Sequence, residues 1–284
     1  MLQLFEGQLE KIRLQKLLFL FTRKQQRAEY DFVPYRFGCY SFSANADLTT
    51  MVTKGLLIED EKNFTKKNKT DYFKQISPED KKLLLQVKSD YGKMSSTTLM
   101  KHTYLNFPFY AINSVKAESI LSSDDYKKVC SARPKGKDTV LFTIGYEGIS
   151  LEEYFVRLIK NDIKVLIDVR RNPLSMKYGF SKNQLASKCQ LLNILYVHIP
   201  EVGIPGEQRT ELNTQSDYDK LFLIYQKSNL AKTKDSQSKI FDLLNTHKRI
   251  ALTCFESEIC HCHRKPLSEA IKKLAIFDLD VRHI

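Results

Sequence analysis

Residues 139–172 read TVLFTIGYEGISLEEYFVRLIKNDIKVLIDVRRN. Val140 to Ile144 is a short apolar run that ends at Gly145. Ser150 stands three residues before Glu153, the spacing of a capping box, and a helix is expected from there to Lys160. Val165-Leu166-Ile167 is a second apolar run, closed by Asp168-Val169-Arg170. The alternation continues downstream. Helices are expected over Lys182 to Leu192, Tyr218 to Gln226, Ser238 to Asn245 and Pro266 to Leu274. Strands are expected over Leu195 to Pro200, Ile250 to Cys254 and Leu279 to His283. Continuous apolar strands alternating with helices predict a mostly parallel sheet, because crossover helices then bury both of its faces. The expected fold class is α/β, preceded by a smaller winged-helix-like α+β domain.

Polar groups fall at the carboxyl ends of these strands. They are Gly145-Tyr146-Glu147-Gly148, Asp168 with Arg170 and Arg171, His198, and Cys254 with Glu256. In open parallel sheets ligands bind at that edge. Several strands delivering chemistry to one rim say more than any single residue.

At ~100–200 residues per domain, 284 residues suggest two domains or one large one. A hydrophobic content of 42% supports a packed core and excludes wholesale disorder. No apolar stretch approaches the ~18 residues of a membrane span. The start MLQLFEGQLE has early acids and no small-residue cleavage site, so no signal peptide is expected. The six cysteines stand at 39, 130, 189, 254, 260 and 262, three crowded and three scattered. That is no secreted disulfide framework, and a cytoplasmic protein with reduced thiols and no membrane association is expected. Forty-five basic against 33 acidic residues leave a net charge of +12. Such an excess suits nucleic acid, anionic lipid or phosphorylated ligands, with a merely soluble basic surface as the plain alternative. Residues 113–138 are polar and close on Arg133-Pro134-Lys135-Gly136-Lys137, the composition of a linker. The expected division is therefore 1–112, a linker over 113–138, and 139–284. Net charge is +8 over residues 1–140 and +4 over the remainder.

The first part reads as helix (Leu9 to Phe21), extended segment (Tyr30 to Tyr35), and helix (Ser41 to Lys54) stopped by Gly55. A strand begins at Leu56-Leu57-Ile58, a lysine-rich turn follows, and Asp71-Tyr72-Phe73 is the expected returning strand. Helix, helix and basic hairpin is the order of a winged helix. Lys62, Lys66, Lys67 and Lys69 would contact phosphates, and Asn45 is the single base-edge candidate on the second helix. A solvated charged turn is the other reading. Ser77-Pro78-Glu79-Asp80 opens a further helix.

Two resemblances accompany these readings. Leu14-Gln15-Lys16-Leu17-Leu18-Phe19, Tyr30 to Ser41, Asp47-Leu48 and Gly55-Leu56 resemble the phage-associated antitoxin-like (Panacea-type) domains over residues 9–105. Cys39 stands where that family usually has proline. The resemblance implies a winged-helix-like module for DNA or a protein partner, in a bacterial phage-defence or mobile-element setting. The second covers residues 139–284. Thr143 to Tyr146, Ile167 to Pro173, Tyr196 to Gly203, Cys254-Phe255-Glu256 and Cys262-His263-Arg264 resemble domain-of-unknown-function family number 488. Tyr146 and Glu147 replace the family's usual His and Ser, and Ile204 replaces a glycine. The resemblance implies a fold and a set of motifs without a settled reaction.

The densest chemistry is Cys254, Glu256, Glu258, Cys260, His261, Cys262 and His263. Thiolates and imidazoles suit zinc or iron, although the spacing is not that of a standard finger. Alternatively Cys254 or Cys262 is a nucleophile, with Cys262 expected to have a lowered pKa beside His263 and Arg264. A third reading makes Arg170, Arg264 and Arg171 anion clamps near Asp168 and Tyr146, with Glu256 as general base. A salt-bridge network holding the strand ends, with Cys254 as ordinary core, is the fourth. The functional expectation is an enzyme-like protein acting on a nucleotide or nucleic acid through Cys254, Glu256, Cys262 and His263. The alternative is a non-catalytic regulator whose α/β domain senses a small anionic ligand.

Overall fold

The wholly buried strands sort the second half of the chain into layers. Every residue of β6 (Val140–Gly145), β7 (Val165–Asp168) and β9 (Arg249–Cys254) is buried. With β8 (Leu195–His198) and β10 (Asp280–His283) they form a five-stranded, all-parallel sheet in the order β10-β6-β9-β7-β8. Leu141, Ile250 and Leu252 point to one face, where α9 (Gln215–Tyr225), α10 (Lys234–His247) and α11 (Arg264–Lys272) cover them with Leu221, Leu244 and Leu267. Thr253 points to the other face and accepts a 2.8 Å hydrogen bond from Tyr154 of α7 (Leu151–Lys160). The crossover between β7 and β8 runs through α8 (Lys182–Leu191). Ser150 caps α7 by accepting from the amide of Glu153, whose carboxylate turns to Arg157 at 2.6 Å. This computed structural model describes residues 1–208 and 212–284. Among them, no helix is long and apolar enough to cross a membrane.

The chain separates into compact units at Met1–Arg133 and Pro134–Ile284. In the first unit, a strand precedes the expected opening helix. Gly7, at φ +84°, turns the chain into β1 (Gln8–Glu10), where Leu9 pairs with Phe64, and α1 (Lys11–Thr22) begins only afterwards. The extended aromatic segment becomes the hairpin β2 (Val33–Tyr35) and β3 (Gly38–Tyr40). Ser41 caps α2 (Phe42–Thr53), and Gly55 follows it at φ +70°.

The returning strand differs from expectation. Asp60 accepts from the amides of Lys62 and Asn63 at 2.7 Å each, so the chain reverses at once and β4 (Leu57–Glu59) pairs with β5 (Asn63–Lys66). Residues Tyr72–Gln75 instead form a 3-10 turn. Only Lys62 therefore lies in the hairpin turn. Lys66 ends β5, with its ammonium 5.6 Å from the Tyr72 ring centre. Lys67 and Lys69 follow the hairpin. The unit continues through α3 (Pro78–Tyr91), capped by Ser77, and α4 (Ser96–Asn106), capped by Ser95.

The polar segment 113–138, whose composition is that of a linker, is helical over part of its length. It contains α5 (Ala117–Ile120) and α6 (Ser123–Ser131). Ser122 caps α6, and Asp124 and Asp125 in the first turn complement the helix dipole. Ala117 and Val129 are buried, which gives this polar stretch an apolar anchor.

Candidate functional site

The central strand β9 ends in Cys254, and the chain then loops through 255–263 into α11. Two neighbours hold that loop against the sheet. The amides of Tyr146 and Glu147 both donate to the Phe255 carbonyl, at 3.1 and 3.0 Å. The Glu147 carboxylate accepts from the amide and hydroxyl of Ser257 at 3.0 and 3.1 Å. Gly145 makes the close approach possible, because a Cβ there would sit 1.9 Å from the Glu256 carbonyl oxygen. The need for glycine at this strand end is steric.

The folded loop brings Cys254 and Cys262 onto one carboxylate. Their thiols donate to the same Glu256 oxygen at 3.0 and 3.2 Å. His263 Nδ1 lies 3.8 Å from the Cys254 sulfur and 4.0 Å from the Cys262 sulfur. The other ring nitrogen, Nε2, is 3.1 Å from the Val169 carbonyl. A carbonyl cannot donate, so Nε2 carries a proton, and Nδ1 faces the two sulfurs. Cys254, Cys262 and His263 are each about 1% exposed. Their donor atoms lie within 4.8 Å of one another, and the three could hold a metal ion. An outer hydrogen bond to a carbonyl is the usual way of fixing a ligating imidazole.

Two expectations are corrected here. The Cys262 thiol is not lowered in pKa; burial and the neighbouring Cys254 sulfur push it well above its usual range, against the pull of His263. Proximity in sequence to basic residues was outweighed by desolvation. Arg264, expected as an anion clamp, is turned inward. It is 1% exposed, donates from Nε to the Cys262 sulfur at 3.0 Å, and bonds the Glu256 carbonyl through its terminal nitrogen. It ties the two ends of the loop together.

Asp168 and Arg170 form a second assembly beside the first. Arg170 donates to both Asp168 oxygens, at 2.8 and 2.6 Å, and to the Tyr146 hydroxyl at 2.7 Å. Burial opposes the Arg170 charge, and the Asp168 carboxylate more than offsets it, so the guanidinium stays above its ordinary pKa. Tyr196, which the sequence did not single out, donates to Asp168 at 2.7 Å. Its signals were the family motif that it opens and a hydroxyl two residues before His198 on the same strand. Tyr146 stacks on Phe180 with ring centres 4.2 Å apart. His198 Nε2 donates to the Arg170 carbonyl at 3.0 Å, so it braces this turn.

Cavities open on two sides of the rim. One, of about 430 Å³, is walled by Arg170, Arg171, Asn172, Tyr146, Phe255 and Cys254. The other, of about 280 Å³, is reached by Glu256 and His263, with Glu147 and Glu258 beside them. The rim is thus basic on one side and acidic on the other. His261 stacks on Tyr218 at 4.5 Å, and Cys260 lies partly exposed, so neither belongs to the thiol cluster. Lys177 donates to the Tyr146 carbonyl at 2.6 Å and ties its own segment to the turn after β6. In the N-terminal unit, Asn45 lines a separate cavity together with Lys62.

The class of protein outlined here is a parallel α/β domain with a thiol–imidazole–carboxylate cluster at the carboxyl edge of its central strand. Residues 150–271 match the model of the family described as Domain of unknown function DUF488. The match runs from the cap of α7 into α11 and includes Asp168, Arg170, Cys254, Glu256, Cys262 and His263. No curated protein and no solved structure matched the chain.

Proposed function

We propose that the C-terminal unit is an enzyme acting on a nucleotide or nucleic acid at the carboxyl rim of its sheet. The observation that carries this reading is the placement of Cys254 in one wall of the arginine-lined cavity, its thiol 3.0 Å from the carboxylate of Glu256, which reaches the acidic cavity. Arg171 and the remaining N–H groups of Arg170 would hold a phosphate; a guanidinium offers five donors, and Asp168 and Tyr146 engage three of those on Arg170. Glu256 is the group positioned to move a proton. The ion suited to Cys254, Cys262 and His263 is zinc or iron, which would supply a Lewis acid and a water of lowered pKa. Arg264 and the Val169 carbonyl position those ligands.

Native mass spectrometry of the full chain, compared with its denatured mass, tests the metal. A retained zinc or iron that is lost from Cys262→Ser supports it, and a bare native mass counts against it. Turnover is tested with nucleotide and oligonucleotide substrates. Glu256→Gln should bind substrate within about threefold of wild type and lose at least ~100-fold in rate, the scale of a general acid–base contribution. Unchanged turnover would remove Glu256 from the mechanism.

A second reading has its own support. Cys254 and Cys262 are almost fully buried, which suits a sensor that reads an anion at Arg171 without chemistry. In that case wild type binds the anion and turns nothing over. The N-terminal unit is proposed as a winged-helix-like module for DNA or a protein partner. On α2 the hydroxyls of Thr49, Thr50 and Thr53 donate to carbonyls four residues back, so they offer little to base edges. Phosphate contact through the lysines is favoured over sequence reading.

A further inference from the structure

The N-terminal unit holds a buried lysine that the proposed function does not use. Lys16 on α1 is 2% exposed. Its ammonium donates to the Cys39 carbonyl at 2.8 Å, and the Cys39 thiol lies within its electrostatic reach. Burial raises the pKa of that thiol and lowers that of the Lys16 ammonium, so the thiol supplies no counter-charge at pH 7 and the ammonium is left to bear its own desolvation. Among the described residues no carboxylate pairs with Lys16. Burying an ammonium without a counter-ion is costly, and apolar packing at the same position would be cheaper for the fold alone.

Lys16 forms part of the wall of a cavity of about 550 Å³, within the range of small-molecule sites. Ile12, Phe37, Leu48 and Phe64 supply apolar lining, and Arg36 and Lys62 add positive charge. Glu10 and Glu61 also line the cavity; Glu10 is held by the hydroxyl of Ser96, and Lys11 is paired with Glu59 at 2.6 Å. We infer that this cavity binds an organic anion, a carboxylate or phosphate head on an apolar body, with Lys16 as the counter-charge of the head and the apolar wall around the body. This site is independent of the C-terminal reading.

The test uses the full chain and measures thermal shift and calorimetric binding of benzoate, octanoate and phenyl phosphate, with benzamide as the neutral control. At least one anion should raise the Tm and benzamide should not. The carboxylate and phosphate arms separate the two head groups. Lys16→Met should fold with a Tm equal to or above that of wild type, and should weaken anion binding at least tenfold. Leu48→Trp, which fills the cavity and leaves Lys16 in place, should also lose the response. This variant decides the matter if Lys16→Met fails to fold. No anion response in wild type, an equal response to benzamide, or a response kept by the variants would overturn the inference.

Discussion

Asp168 has no exposed surface and Arg170 very little, and each satisfies the other through two hydrogen bonds. Their strand-end placement read either as an anion clamp or as a salt-bridge network holding the strand ends. The structure makes the pair first of all a brace, with Tyr196 and Tyr146 completing it. Removing one partner leaves the other buried and uncompensated. Asp168→Ala should therefore cost about 3–5 kcal/mol of stability, measured by urea denaturation of the C-terminal transition. A loss below ~1 kcal/mol would mean that water reaches Arg170 and that the brace is dispensable. His263 makes the same point about legibility. Its nearness to Cys262 was visible in the sequence. The carbonyl that sets its tautomer belongs to Val169, 94 positions away, and no local pattern announces such a contact.

Elements were legible where local signals agree. Ser41, Ser77 and Ser150 each cap the helix that the chain predicts after them. The hairpin β4–β5 was misjudged because Asp60 acts through its side chain on backbone amides, which brings the turn several residues earlier than the lysine run suggested. Those amides hold the Asp60 carboxyl below the usual aspartate range. A lowered folded-state pKa contributes stability that is present above the unfolded value, about pH 4, and lost as the pH falls through the folded value. Hydrogen-exchange protection over residues 62–66 should thus be lower in Asp60→Ala than in wild type at pH 7. The difference should shrink below about pH 4. A difference that persists undiminished in acid would assign the effect to packing.

For the whole molecule, the net charge of +12 has the scale to attract a polyanion. The structure divides the lysine run by role. Lys66 lies over Tyr72, whereas Lys62, Lys67 and Lys69 sit in and just beyond the hairpin. If those three meet duplex phosphates, the slope of log affinity against log salt should include about −2.7 from them, at about −0.9 per contact. Replacing all three with Gln should remove that portion and leave the remaining slope intact. An unchanged slope would move the contact surface elsewhere, and no binding at low salt would favour a protein partner.

The sequence by itself determined the parallel α/β class, the strand-end placement of Asp168, Arg170, Cys254 and Glu256, and the capped helices, because apolar period, caps and glycines act over a few residues. Only the tertiary structure decided which of those polar groups meet. It joined both thiols on Glu256 and turned Arg264 inward. It matched Arg170 to Asp168 and left Lys16 without an opposite charge in the wall of a cavity. Such outcomes depend on desolvation and on partners far apart in the chain, and these exist only once the sheet has closed and water has been excluded.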